Sequence, residues 1–219
     1  MMVGMLIARL LLGTLALLTS FSGTEPTSRP ADLRAAALDI AYSYDEGGGY
    51  VWKDTGVPED LVYDGQPLLK KSEAGTFCCG FTLAVAFRVG EEHDLFDGKT
   101  FDELDQFYRD WYGMKAGPGD PLISTAMENL GVGEAVEVEA AQAGDYLQFW
   151  RDNGSGHSVI FLDWLEEEGE RVGIRYRSSQ TATDGIGDHT ERFVGQGGKV
   201  KPDALFFARF LSRAEADAG

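Results

Sequence analysis

The spacing of hydrophobic residues changes near the middle of this 219-residue chain. Before Gly133, apolar residues recur every three or four positions, which is the spacing that predicts amphipathic helices. After Gly133, short segments rich in β-branched and aromatic residues are separated by Gly, Asp, Asn or Glu turns, a pattern typical of strands. Helices followed by an antiparallel meander predict an α+β fold.

Three helices have clear boundary signals: a capping residue or a proline starts each helix, and glycine ends the first and the third. They are expected from Asp32 to the glycines at 47–49, over residues 101–114 after a Thr100–Glu103 capping box, and from Asp120 to Gly131. Strands are expected over residues 135–139, 145–151, 158–165, 172–178 and 204–211, and residues 183–188 are interpreted as a turn.

The beginning of the chain has a different character. Residues 5–18 are almost continuously apolar and are followed by a run of small residues, the pattern of a secretory signal cleaved near Ser22. An uncleaved membrane anchor is the alternative, but the apolar run is short for a bilayer span. We therefore expect a signal peptide over residues 1–22, a single domain over residues 23–219, a secreted or periplasmic location, and no stable membrane association after cleavage.

Composition excludes several classes of function. The formal net charge is −17, and removal of the signal takes away Arg9 and no acid, so the mature chain is more acidic still. Nucleic acids and anionic membrane faces both attract Lys and Arg, so neither is an expected partner. The hydrophobic fraction of 43% is that of a globular protein.

The two cysteines, Cys78 and Cys79, stand where a loop runs into an apolar segment with helical spacing. In the first turn of a helix, free N–H groups and the helix dipole favour a thiolate, which is the form that attacks carbonyl carbon. A disulfide between adjacent residues would close no useful loop and would stabilise the fold very little. The alternative is that both are small buried core residues.

A thiolate nucleophile needs a base, which is usually a histidine. Of the three histidines, His93 lies in a charged turn, whereas His157 opens a strand directly after the glycine-containing loop 152–156. A strand would fix the backbone of His157 while the loop leaves its side chain open to a cleft. A purely structural histidine is the alternative interpretation.

The strands on either side of the charged turn 166–171 should form a hairpin. If Leu165 pairs with Val172, His157 lies opposite Gln180, and a register shifted by two residues places Ser178 there instead. Either side chain could hydrogen-bond the ring nitrogen that catalysis does not use and so orient the imidazole.

Together these segments resemble the NlpC-type cell-wall peptidases, which are bacterial relatives of papain and of the CHAP amidases. Phe-Cys-Cys-Gly-Phe-Thr at 77–82 resembles their Asp-Cys-Ser-Gly-Phe signature, although Phe77 stands in place of the acid and Cys79 in place of the serine. Segments 144–150 and 156–161 are similar to the Gly-Asp block and the histidine strand. Segment 50–52 resembles an upstream Tyr-x-Tyr/Trp element.

The resemblance implies a papain-like fold and an amidase or endopeptidase that acts on a peptidoglycan peptide or another amide substrate. It implies Cys78 as nucleophile, His157 as base, Gln180 or Ser178 as the third polar residue, and Tyr50 as a partner of the oxyanion. Neither a metal nor a cofactor is expected. A non-catalytic binding domain of the same fold and a thiol acyltransferase remain alternative functions.

Overall fold

The computed structural model describes residues 32–114, 117 and 119–216. This part of the chain is an α+β structure built on one large antiparallel sheet and a few helices, as the change in hydrophobic spacing predicts. The expected signal segment, residues 1–22, lies outside the described residues. Within the same ranges, no helix has the length and apolar character needed to cross a bilayer.

The helices are α1 (Leu33–Ser43), α2 (Cys78–Glu92), α3 (Phe101–Trp111), α4 (Leu122–Leu130) and α5 (Arg213–Ala216). The strands are β1 (Gly47–Gly48), β2 (Leu61–Tyr63), β3 (Gln66–Leu69), β4 (Gly133–Val136), β5 (Tyr146–Arg151), β6 (Gly156–Glu167), β7 (Glu170–Gln180), β8 (Gly185–Arg192) and β9 (Val200–Phe210).

The main sheet has seven strands in the order β1-β8-β7-β6-β5-β9-β4, and every neighbouring pair is antiparallel. The expected meander runs from β5 to β8. Strand β9 returns to the far side of β5, and β4 forms the edge beyond it. Strands β2 and β3 form a separate two-stranded hairpin.

The helix boundaries follow the predicted signals. The side chain of Asp32 accepts hydrogen bonds from the first turn of α1, and Thr100 with Glu103 forms the capping box of α3. Gly131 ends α4 in the left-handed conformation, with φ at 72°. Helix α1 ends at Ser43, before the glycine run, because the next residue is already extended.

Two predictions about strands are wrong. Strand β4 stops at Val136, and a 3-10 turn over Val138–Ala140 occupies the rest of the stretch expected to be extended. The turn expected over residues 183–188 is confined to its first two residues, because β8 begins at Gly185 and pairs with β7 over its whole length. The glycines and acids of β8 resemble turn residues, but pairing with β7 decides the backbone conformation.

The predicted register between β6 and β7 also needs correction. Leu165 pairs with Gly173 and not with Val172, because the hairpin contains two irregularities. The second irregularity restores the expected alignment, so that Ile160 pairs with Arg177, but the β6–β7 ladder ends at that pair. His157 is instead paired with Phe149 of β5.

Successive side chains of a strand point to opposite faces, so the sheet contributes to two buried clusters. Tyr146 and Ile160 join the cluster formed with the helices, whereas Leu147 and Val159 belong to a cluster on the other face. Every residue of α2 from 78 to 87 is buried, and α2 contacts both β6 and β7. The start of α2 is therefore held against the strand that carries His157.

Gly80 allows the loop before α2 to pack directly on the helix. A Cβ at Gly80 would lie 2.2 Å from the carbonyl carbon and oxygen of Gly56 and 2.7 Å from the backbone nitrogen of Val57. The loop backbone therefore approaches the first turn of α2 more closely than any other residue type would allow.

Candidate active site

Cys78 is the first residue of α2. The residue before it, Phe77, is extended, with φ at −142° and ψ at 169°, and provides no side-chain cap. The first N–H groups of a helix have no partner within the helix, and they lie at the positive end of its dipole. The backbone around Cys78 therefore favours a negatively charged sulfur, as the sequence predicts.

The two adjacent thiols are driven to opposite protonation states. Both cysteines are buried and free, and their Sγ atoms lie 3.8 Å apart. The hydrogen bond between the two thiols chiefly lowers the pKa of Cys78, and the charge of His157 adds to this effect against the cost of burial. The same bond, burial and the charge of Cys78 raise the pKa of Cys79 well above its ordinary value. Of the two thiols, Cys78 is therefore the one whose surroundings favour the thiolate.

His157 is the second residue of β6, and its side chain is 4% exposed. The imidazole packs between the rings of Phe149 and Tyr176, at centroid distances of 5.5 and 5.4 Å. Its charge favours the thiolate of Cys78, and the contact between the cysteines and β6 is direct, since Sγ of Cys79 lies 3.7 Å from Oγ of Ser158, the residue after His157. Within the described residues, Nε2 of His157 is buried and has no hydrogen-bond partner, so one ring nitrogen is available for a further bond.

Tyr50 is brought to the cysteines by main-chain pairing. It forms a parallel bridge with Thr76, and the backbone N–H of Val51 donates to the Thr76 carbonyl at 3.1 Å. Burial, followed by the charges of Cys78 and Cys79, raises the pKa of Tyr50 to about 12. The hydroxyl of Tyr50 is therefore a protonated donor near the two sulfurs at neutral pH.

The two other residues predicted for the site differ in their contacts. Ser178 Oγ donates to the Ser158 carbonyl at 2.7 Å, so this hydroxyl is engaged away from the imidazole. Gln180 Nε2 donates to Thr183 Oγ1 and to the Gly187 carbonyl. Its Oε1 is buried without a partner among the described residues. Neither side chain hydrogen-bonds His157 in this structure.

A cavity of about 640 Å³ opens beside the imidazole. Residues from five parts of the chain line it, including Tyr50, Trp52, Arg151, His157, Tyr176, Gln180 and Glu191. Trp52 is 65% exposed and packs on Phe77 with ring centroids 4.7 Å apart. The cavity thus has an aromatic rim next to the residue that precedes the nucleophile candidate.

The sequence did not identify three residues around His157, which are Arg151, Tyr176 and Glu191. Arg151 and Glu191 form a partly buried ion pair, and Tyr176 donates a hydrogen bond to Glu191. Arg151 is the last residue of a correctly predicted strand, so the sequence could have placed it at the strand end nearest His157. Glu191 lies in β8, whose first residues were predicted to be a turn. Because the strand was not predicted, Glu191 could not be placed beside His157.

In the described ranges, no group of three or more His, Cys, Asp or Glu side chains is arranged to hold a metal ion. His189 lines the same cavity as His157, and its ring lies 5.9 Å from that of Tyr176.

No protein-family model matches this chain, and no curated protein matches it. Among solved structures it is similar to the P60 domain of an antigen from M. avium subspecies paratuberculosis, with 15% sequence identity and a TM-score of 0.35. The likeness covers 78% of this chain and 95% of that domain.

Proposed function

We propose that this chain is an exported cysteine hydrolase of papain-like fold that cleaves an amide bond, in a peptidoglycan peptide, through a thioester acyl-enzyme. The observation that carries the proposal is the position of Cys78 at the start of α2 against His157 at the start of β6. A thiol of lowered pKa beside an imidazole is the arrangement that a cysteine nucleophile requires.

In the first half of the reaction, the Cys78 thiolate attacks the carbonyl carbon of the substrate and a tetrahedral intermediate forms. The imidazolium of His157 gives its proton to the departing amine as the C–N bond breaks, which leaves a thioester. In the second half, His157 takes a proton from water, the hydroxide adds to the thioester carbonyl, and the C–S bond breaks. A carboxylic acid is released and the thiolate–imidazolium pair returns.

The developing oxyanion needs hydrogen-bond donors. The backbone N–H of Cys78 belongs to the unpaired first turn of α2, and the hydroxyl of Tyr50 remains protonated because the pKa of Tyr50 is raised to about 12. We assign these two groups to the oxyanion. Because Cys78 is 2% exposed, the substrate carbonyl reaches the sulfur through the cavity that Tyr50 and His157 line.

The contacts favour Gln180 over Ser178 as the residue that orients the base. Nε2 of His157 and Oε1 of Gln180 are both buried without partners among the described residues, and both side chains border the same cavity. Buried polar atoms are rarely left unpaired in native proteins. A rotation of the Gln180 side chain that lets Oε1 accept from Nε2–H would satisfy both atoms and fix the imidazole tautomer.

The choice of substrate and the export rest on the sequence. The four segments that resemble NlpC-type peptidases occur in the same order along the chain, and an apolar leader with small residues precedes the domain. The acidic charge of −17 disfavours nucleic acid and anionic membranes as targets. Peptidoglycan peptides are substrates that an exported hydrolase would meet.

Digestion of purified peptidoglycan tests the proposal. The chain lacking residues 1–22 should release fragments with new amine and carboxyl ends, detected by mass spectrometry, and Cys78→Ala should release none. Products in which the acyl group is joined to an amine, without hydrolysis, would indicate the acyltransferase alternative. If the folded protein, with both cysteines reduced, binds peptidoglycan but produces no new amine or carboxyl ends, it is a non-catalytic domain.

A further inference from the structure

An ion pair lies next to the proposed catalytic residues and has no role in the mechanism described above. Arg151 Nε donates to Glu191 Oε2 at 2.7 Å, and a second guanidinium nitrogen bonds Glu191 Oε1. Both side chains are only 17% exposed. Both line the cavity that His157 borders. A two-point ion pair of this kind holds its charges in a fixed orientation.

Each member of the ion pair is connected to His157 through one aromatic ring. Tyr176 donates from its hydroxyl to Glu191 Oε1 at 2.6 Å, and its ring lies 5.4 Å from the imidazole. On the other side, the guanidinium of Arg151 lies 4.9 Å from the centre of the Phe149 ring, which lies 5.5 Å from the imidazole. The imidazole is thus held between two rings that also contact the ion pair.

The charges of the Arg151–Glu191 ion pair also interact with those of Cys78 and His157. Burial alone would raise the pKa of Glu191, but hydrogen bonds from Arg151 and Tyr176, with the charges of Arg151 and His157, lower it. Burial would lower the pKa of Arg151, but the hydrogen bond and charge of Glu191 outweigh it, and the charges of Tyr176 and Cys78 also act to raise it. Glu191 is therefore attracted to the imidazolium, and Arg151 to the thiolate.

We propose that Arg151 and Glu191 are positioning residues that present a fixed pair of opposite charges to the Cys78 thiolate and the His157 imidazolium. Glu191 stabilises the imidazolium and Arg151 stabilises the thiolate. The inference rests on the proposed function, because it gives the ion pair its role in that chemistry. Since the two side chains are already ordered by each other, they need no rearrangement when the thiolate forms.

Other titratable groups around the imidazole are assigned separately. They are Cys79 on α2, Tyr50 beside Thr76, Tyr176 on β7 and His189 on β8. Cys79 and the two tyrosines have raised pKa values and are neutral near pH 7. His189 is also ionisable, so the experiment is carried out with His189→Gln as the reference chain, which removes the contribution of this side chain.

Two titrations test the proposal separately from hydrolysis. The pH dependence of iodoacetamide alkylation reports the proton loss of Cys78, and imidazole NMR shifts report that of His157. Arg151→Gln should raise the midpoint of the Cys78 alkylation curve by about one pH unit. Glu191→Gln should lower the midpoint of the His157 NMR titration by about one pH unit. Each substitution thus narrows the pH range over which the Cys78 thiolate and the His157 imidazolium coexist. Arg151→Gln raises the lower limit of that range, and Glu191→Gln lowers the upper limit.

Matched variants complete the experiment. Glu167→Gln removes an exposed ion pair with Arg192 and should leave both titrations unchanged. If Glu191→Gln does not fold, Tyr176→Phe is used instead, because it keeps the ring and removes the hydrogen bond to Glu191. This variant should lower the midpoint of the His157 titration by a smaller amount. Unchanged titrations in folded variants, with Cys78 still ionising early, would overturn this inference alone. An ordinary thiol pKa for Cys78 in the unaltered chain would instead remove the proposed function.

Discussion

The sulfur atoms of Cys78 and Cys79 lie 3.8 Å apart, yet the fold lowers the pKa of one thiol and raises that of the other. The hydrogen bond between the two thiols favours the charged form of Cys78 and the neutral form of Cys79, and the charge of His157 further favours the charged form of Cys78. The fold thus favours a thiolate at one of two adjacent cysteines and a thiol at the other. The sequence alone supports this division only through the resemblance of residues 77–82 to a known signature.

Replacement of Cys79 tests that division. Cys79→Ala removes the hydrogen-bond donor and should raise the pKa of Cys78, so that alkylation of Cys78 by iodoacetamide at pH 6 slows about tenfold, which corresponds to one pH unit. Cys79→Ser keeps a donor and should recover part of the rate. If both variants react at the rate of the unaltered chain, Cys79 has no part in ionising Cys78.

A buried ion pair at the start of β5 should contribute to stability. Asp145 is fully buried, accepts two bonds from Arg209 at 3.0 and 2.7 Å, and accepts a third from the backbone of Gln142. Asp145→Asn should lower the free energy of unfolding by about 3 kcal/mol, because removal of one partner leaves the other charge uncompensated.

Urea denaturation at pH 7 measures this change. Asp97→Asn is the matched control, because Asp97 pairs with Arg213 at the surface, where both side chains are more than half exposed. Its loss should cost less than about 1 kcal/mol. Equal losses in the two variants would show that burial of Asp145 adds nothing to the pair.

Gly80 should be intolerant of a side chain despite its helical position. Alanine usually stabilises a helix relative to glycine by about 1 kcal/mol, but a Cβ here would lie 2.2 Å from the Gly56 carbonyl. Gly80→Ala should therefore lower the free energy of unfolding by about 1–3 kcal/mol and slow alkylation of Cys78. Gly98→Ala has open space around the new Cβ but a left-handed backbone with φ at 78°, so it should also cost stability and yet leave alkylation unchanged. A stabilised Gly80→Ala variant with normal alkylation would contradict the close packing.

Trp52 should contact substrate at the rim of the cavity. Its ring is 65% exposed and is supported on Phe77, so Trp52→Ala should cost little stability. If the proposed hydrolysis is correct, loss of this aromatic surface should raise KM about fivefold, roughly 1 kcal/mol, with kcat nearly unchanged. Val194→Ala, at a side chain that is 44% exposed, serves as the control. A Trp52→Ala variant with unchanged KM would place substrate elsewhere.

Features with strong local signals could be predicted from the sequence. The caps at Asp32 and Thr100 and the stop at Gly131 depend on neighbouring residues only, and each matches the structure. The position of Cys78 as the first residue of a buried helix likewise follows from the apolar spacing after it. Local chemistry and periodicity are sufficient for features of this kind.

Features that depend on pairing between distant segments could not be predicted. Strand β8 has two glycines and Asp188 in its first four residues, which are typical of turns, and only pairing with β7 makes the segment a strand. The β6–β7 ladder ends at the pair Ile160–Arg177, which the hydrophobic pattern does not indicate, so the expected pairing of His157 with Gln180 does not form. Glu191 became visible as a neighbour of His157 only once β8 was in place.

Competitive labelling of the two cysteines tests the central claim most directly. Native protein is treated with iodoacetamide at pH 7 for a short time and the modified residue is located by mass spectrometry. The account predicts fast labelling of Cys78, which Cys78→Ala abolishes, Cys79→Ala preserves in part and His157→Ala slows strongly. Equally slow labelling of both cysteines, or fast labelling that persists in Cys78→Ala, would contradict it.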